Sequence, residues 1–199
     1  MIIFQELIKT LNEYDKDYKF DSLYYTFKPK KGFRVIVLDG SSNEKSCSEG
    51  YIPPEELLWL DEVLKKSKKD VVLIFIHFPV LPPFDSKNHE ITNVNELKNV
   101  LSEYDMPMGI FSGHYHMTKI TKKKNTVHVS TPSLAGYPNA FRIIKVIKKR
   151  NKTIFEINLE ETGLKDIQKK AKITALGGSV YYGREKDRNN IVVLEKRDK

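Results

Sequence analysis

The stretch Met108-Gly109-Ile110-Phe111-Ser112-Gly113-His114-Tyr115-His116 sets two imidazoles two residues apart, directly after an apolar run. A short apolar run closed by a glycine reads as a buried strand, and in extended backbone the side chains at i and i+2 share a face. Both rings are therefore expected to emerge together where the strand meets its loop. An earlier run, Val71-Val72-Leu73-Ile74-Phe75-Ile76, also ends on a histidine, His77. Open α/β sheets bind ligands in the crevice beyond the carboxyl ends of their strands. Two strands are thus expected to deliver His77, His114 and His116 to one rim, as a metal site requires. A lone histidine after a strand is by default a hydrogen-bonded structural residue. The pair points further, because two neutral imidazoles on one face make a poor core and Gly113 allows a sharp turn or a close approach to a ligand.

Working outward, Pro53-Pro54-Glu55-Glu56 is a helix start, with proline in the first turn and acids favoured by the helix dipole. Leu57, Leu60, Val63 and Leu64 form its apolar face. A second helix is expected over 94–104, between the strands at 71–76 and 108–112, and a strand at 33–38 precedes the first helix. This β-α-β-α-β order predicts an α/β architecture. A hairpin-like connection, Lys28-Pro29-Lys30-Lys31-Gly32, joins 33–38 to a short strand at 23–27, and helical spacing marks 2–11. After the histidines the character becomes antiparallel, with strands expected at 126–131, 141–147 and 153–159, so the sheet should be mixed. A helix over 162–176 is broken by Gly177-Gly178, and a last strand is expected at 191–194.

The length of 199 residues and 40% hydrophobic content suit a single domain with a sizeable core. The lone Cys47 excludes an internal disulfide and fits a reducing, cytoplasmic setting. No apolar run approaches the ~20 residues of a membrane span, so no membrane partner is expected. The net charge of +8 invites a nucleic-acid reading. Its clusters, Lys65-Lys66-Ser67-Lys68-Lys69, Lys122-Lys123-Lys124 and Lys148-Lys149-Arg150, fall at expected helix ends and turns without interleaved aromatic residues. Dedicated nucleic-acid binding is therefore not expected.

In its order of motifs the chain resembles the C-terminal half of the calcineurin-like metallophosphoesterases. The matching pieces are Phe33-Arg34-Val35-Ile36-Val37-Leu38-Asp39, Glu56-Leu57-Leu58-Trp59-Leu60, Phe75-Ile76-His77-Phe78-Pro79, Gly113-His114-Tyr115-His116 and Thr131-Pro132-Ser133-Leu134. Tyr181-Tyr182-Gly183-Arg184 is similar to the ending of some bacterial members. The resemblance implies the mixed-sheet half of a four-layer α/β/β/α sandwich. It also implies two divalent ions (Mn, Fe or Zn), with His77 and His114 on one and His116 on the other. Hydrolysis of a phosphate monoester or diester by a metal-bridging hydroxide would follow. The family's earlier Asp-x-His, Gly-Asp and Gly-Asn-His motifs do not occur in this sequence. The expectation is therefore a single, N-terminally truncated domain over 1–199, with a core at 22–159 and a C-terminal extension at 160–199.

On that reading the chain carries no assignable catalytic acid or base, and another chain could supply the N-terminal half. A close ion pair needs a bridging carboxylate, and Asp39 is not expected to provide it. His89 is a candidate substrate contact from the loop after His77, and His128, inside an alternating strand, is read as structural. Two alternatives stand beside the phosphoesterase: a noncatalytic binding or interaction remnant of the fold, and a single-zinc hydrolase with three histidine ligands. A truncated sheet should expose an unpaired edge and an apolar face.

Overall fold

The computed structural model describes residues 2–15, 19–41, 48–84, 90–175 and 178–195. In chain order the elements are α1 (Ile2–Tyr14), β1 (Tyr25–Phe27), β2 (Phe33–Val37), α2 (Pro54–Lys65), β3 (Val71–Phe75), α3 (Val94–Ser102), β4 (Met108–Ser112) and β5 (Lys119–Lys123). They continue with β6 (Thr126–Ser130), β7 (Ala140–Lys148), β8 (Lys152–Glu161), α4 (Lys165–Thr174), α5 (Gly178–Tyr182), α6 (Glu185–Arg188) and β9 (Asn190–Glu195).

Strands β2, β3, β4 and β6 run parallel in the middle of a six-stranded sheet ordered β1-β2-β3-β4-β6-β5, with antiparallel strands at both edges. The crossovers β2-α2-β3 and β3-α3-β4 lay their helices on one face, as consecutive right-handed units must. Register then sorts the side chains: Ile36 pairs with Ile74 and Ile74 with Ile110. All three are buried on the helix face against Leu57, Leu60 and Leu97. The opposite face presents Phe33, Val71, Phe111, Val127 and Val129 to Phe155, Ile157, Val192 and Leu194 of the antiparallel sheet β7-β8-β9. Full burial of such side chains contributes about 1.5–3 kcal/mol each.

Gly109 marks how closely the two sheets approach. A Cβ there would lie 2.7 Å from the Phe111 ring and 2.8 Å from the Phe155 ring.

The described residues therefore build three layers in the order α/β/β. The outer face of the small sheet meets solvent, with Ile143 53% and Ile191 67% exposed. The core also runs past residue 159, the limit expected from sequence, because Val192 and Leu194 of β9 are buried within it. The unexpected strand β5 reads as a basic turn because it is lysine-rich, yet a lysine-rich segment suits a sheet edge that must not recruit further strands. The turn itself narrows to Lys124, at φ 52°, and Asn125. At the opposite end of β3, Lys28, Lys31, Lys65, Lys66, Lys68 and Lys69 surround one hollow beside Asp70. Among the described residues no helix is long and apolar enough to cross a membrane.

Candidate metal centre

His77 follows β3 by two residues and His114 follows β4 by two, so adjacent parallel strands carry both imidazoles. The ladder continues past the strand ends before the loops part. The Ile76 amide donates to the Phe111 carbonyl at 3.1 Å, and the Gly113 amide donates to the His77 carbonyl at 3.0 Å. A Cβ on Gly113 would lie 3.8 Å from His77 Nδ1, an ordinary contact, so this glycine has the His77 ring over it without being sterically required.

The expected extended backbone through His114 and His116 is not found. His114 has φ 61° and His116 φ 53°, both in the left-handed region. The Tyr115 amide donates to the Gly113 carbonyl at 2.8 Å, which closes a tight three-residue turn around His114. The cause is the end of the ladder. Once Thr131 N–H has met the Ser112 carbonyl at 2.8 Å and Gly113 N–H the His77 carbonyl, the chain beyond is free to turn. Side chains at i and i+2 consequently need not share a face. A non-glycine residue at positive φ costs on the order of 1–3 kcal/mol, and such residues cluster at binding sites.

What the turn achieves is the approach of His114 to His77. Nδ1 of His114 stands 3.2 Å from Nε2 of His77, with the rings edge to face at 5.1 Å between centroids. Two nitrogens on one ion, each at about 2.0–2.1 Å, lie roughly 2.9 Å apart at a right angle and 3.4 Å apart at the tetrahedral angle. The observed separation, that of a hydrogen bond between the two ring nitrogens, also falls in that interval, so the pair fits a shared divalent ion once the bridging proton is released.

The surroundings favour the neutral form of His77. Partial burial, and after it the field of His116, lower its pKa below the ordinary imidazole value. Phe78 packs against the His114 ring at 4.4 Å, and Phe84 against Tyr115 at 5.1 Å, forming an aromatic wall beside the pair.

His116 is exposed and acts on His77 through its field. Among the described residues no group of three His, Cys, Asp or Glu side chains converges. The Asp39 carboxylate accepts the Ser41 hydroxyl at 2.6 Å and its amide donates to Glu56 Oε1 at 2.9 Å. His128 lies on β6, paired with Ile110 and away from the rim. His89 and Cys47 fall at 85–89 and 42–47, outside the described residues.

Sequence reasoning did not single out Glu56, which is 1% exposed below this rim. Burial, more than the carboxylates of Asp39 and Glu55, pushes its pKa up to about 7 against the pull of the Asp39 amide. The signal was available, since Glu56 shares a helical face with Leu60 and Val63 at i+4 and i+7. The aromatic wall left a clue only in Phe78 and Tyr115, which adjoin the histidines in the chain.

No family model matches the chain. It is 34% identical over 92 residues to a probable glycerophosphodiester phosphodiesterase of Arcobacter nitrofigilis, covering 44% of this chain and 33% of that protein. It is 28% identical over 101 residues to a probable cyclic nucleotide phosphodiesterase of Vesicomyosocius okutanii, covering 50% and 43%. A manganese-dependent ADP-ribose/CDP-alcohol diphosphatase of Arabidopsis thaliana is 25% identical over 134 residues, covering 47% and 43%. Among solved structures, a dimetal phosphatase from Danio rerio superposes with a TM-score of 0.54 at 18% identity, over 67% of this chain and 57% of that one. The fold is thus that of the calcineurin-like metallophosphoesterases, and the chain spans between 33% and 43% of the length of the relatives it matches in sequence.

Proposed function

We propose that this chain carries the histidine side of a metal-dependent phosphoesterase site. The observation that carries the reading is the 3.2 Å approach of His114 Nδ1 to His77 Nε2 from the ends of adjacent parallel strands. In this reading His77 and His114 hold one divalent ion and His116 contributes to a second. Manganese, iron and zinc are the candidates, and the manganese-dependent and dimetal relatives support divalent ions here. Bound ions would supply Lewis-acid stabilisation of a phosphoryl group and a nucleophile available at neutral pH.

The chain's own residues have the supporting parts. His77, disfavoured as the imidazolium, keeps its lone pair for coordination, and the γ-turn at His114 fixes the second ring against it. Phe78, Phe84 and Tyr115 shelter one side of the pair, where they would limit water and favour electrostatic contacts to a phosphate ester. Carboxylate donors come in this reading from outside the described residues, in an N-terminal half on this or another polypeptide. His89, outside the described residues, is kept as a substrate contact on its place in the sequence alone. A one-zinc site built from all three histidines is less favoured, because His116 does not join the 3.2 Å pair.

The test is a zinc titration of histidine-labelled protein followed by NMR, with manganese-supported turnover of 4-nitrophenyl phosphate and bis(4-nitrophenyl) phosphate measured in parallel. The His77 and His114 rings should shift together and saturate, and His114→Ala should weaken zinc binding at least about tenfold. Zinc leaving both rings unmoved would sink the proposal. Binding without turnover of either ester, even with an N-terminal partner added, would assign the chain to the noncatalytic reading.

A further inference from the structure

A second cavity lies between the C-terminal end of α3 and the β5–β6 hairpin, lined by none of the three rim histidines. It encloses about 280 Å³. Ile110, Val80 and Leu101 give it apolar walls, and His128 joins Ile110 in its lining. The pairing of Ile110 with His128 puts both side chains on the helix face of the sheet.

Most polar groups around this cavity are already committed. The Tyr104 hydroxyl is taken up by Asp61, Ser102 Oγ donates to the Asn99 carbonyl at 2.9 Å, and the Asn125 amide donates to the Asp105 carbonyl. Two kinds of group remain. Among the described residues, no ion pair or hydrogen bond engages the ammonium groups of half-buried Lys98 and exposed Lys123 and Lys124, which share the lining with a single carboxylate residue, Asp105. His128 Nδ1 is sealed from solvent and has no hydrogen-bond partner. An atom so sealed lies out of reach of a ligand in the cavity too, so the His128 ring joins the lining through its other atoms. Burial, helped by Lys123 and Lys98, holds His128 down to a pKa of about 4, so near neutral pH its ring is uncharged and does not itself compete for an anion.

We propose that this cavity binds a small organic anion with a flat apolar body, the body against Ile110, Leu101 and the His128 ring, and the charge at the Lys98–Lys123 rim. Three cations against one carboxylate select for negative charge, and the apolar walls select for a ring over a bare inorganic ion. The inference does not rest on the metal centre.

Three isosteric probes test it on the full chain: 2-naphthoate, neutral 2-naphthamide and cationic 2-naphthylmethylammonium, titrated at pH 7.5 with NMR detection of the histidine rings and the Val80 and Leu101 methyls. Naphthoate should give saturable shifts at His128 and both methyls, about tenfold tighter than the amide, with the ammonium compound weaker still. His77 and His114 should stay unmoved. Replacing both Lys98 and Lys123 with alanine should abolish the preference for naphthoate over the amide. Equal affinity for all three probes, no saturation up to the solubility limit, or shifts centred on His77 and His114 would each overturn the proposal.

Discussion

Replacing Glu56 with glutamine should make the protein more stable in alkaline solution while changing little in acid. The side chain is 1% exposed in the first turn of α2, and its Oε1 accepts the Asp39 amide at 2.9 Å, a contact that glutamine can keep through its own carbonyl oxygen. Burial raises the folded-state pKa from 4.5 to about 7. The folded protein therefore holds a proton that the unfolded chain has released throughout that interval, so unfolding free energy falls as pH rises through it. From pH 5 to pH 8 the loss is about 2–3 kcal/mol, since each pKa unit corresponds to about 1.4 kcal/mol. With a urea m-value of about 2 kcal/mol/M, the midpoint of the variant relative to wild type should rise by about 1 M across that range. The assay is urea denaturation of both proteins at half-unit pH steps. Subtracting one curve from the other cancels every other titrating group and any constant effect of the substitution. Midpoints that move in parallel from pH 5 to pH 8 would refute the burial argument for Glu56.

Three further outcomes are expected. Gly109→Ala would push a methyl to within 2.8 Å of the Phe111 and Phe155 rings and should cost about 1–3 kcal/mol, read as a lower thermal midpoint with the fold retained. The Arg142 guanidinium donates to the Ser130, Asp187 and Arg188 carbonyls, so Arg142→Met should destabilise by roughly 2–4 kcal/mol. Arg142→Lys should recover only part of this, because an ammonium cannot reproduce the planar fork; denaturant unfolding of the three proteins checks both. His114→Gly should hold stability within about 1 kcal/mol of wild type, whereas His114→Val should lose about 1–3 kcal/mol, because a β-branched residue tolerates positive φ poorly; thermal melts of the two variants separate backbone demand from the ring's own contribution.

The parallel core was legible because β3 and β4 are uninterrupted apolar runs and the α2 start carries its proline and acids. Strand β5 was not, since lysines at a sheet edge and lysines in a turn look alike until the pairing partner is known. His77 and His114 were legible as strand-end residues, and that argument needed only where each strand stops. The step that assumed extended backbone through His116 failed because it depended on where the ladder of hydrogen bonds ends, and a ladder belongs to two strands at once. His128 shows the same division. Its opposition to Val127 and Val129 follows from a period of two, but the cavity it lines with Leu101 and Ser102 depends on where the end of α3, more than twenty residues earlier in the chain, comes to lie.

Because the His77 and His114 rings meet through a tight turn closed just past the last rung of one parallel ladder, the 3.2 Å between them is set by backbone, and no side-chain network is needed to define it. A pair held in this way comes with the scaffold. It can persist in a descendant whose chemistry has lapsed, for as long as the sheet is worth keeping. On the proposed reading, cation uptake and turnover are therefore separable traits, and the first should outlive the second.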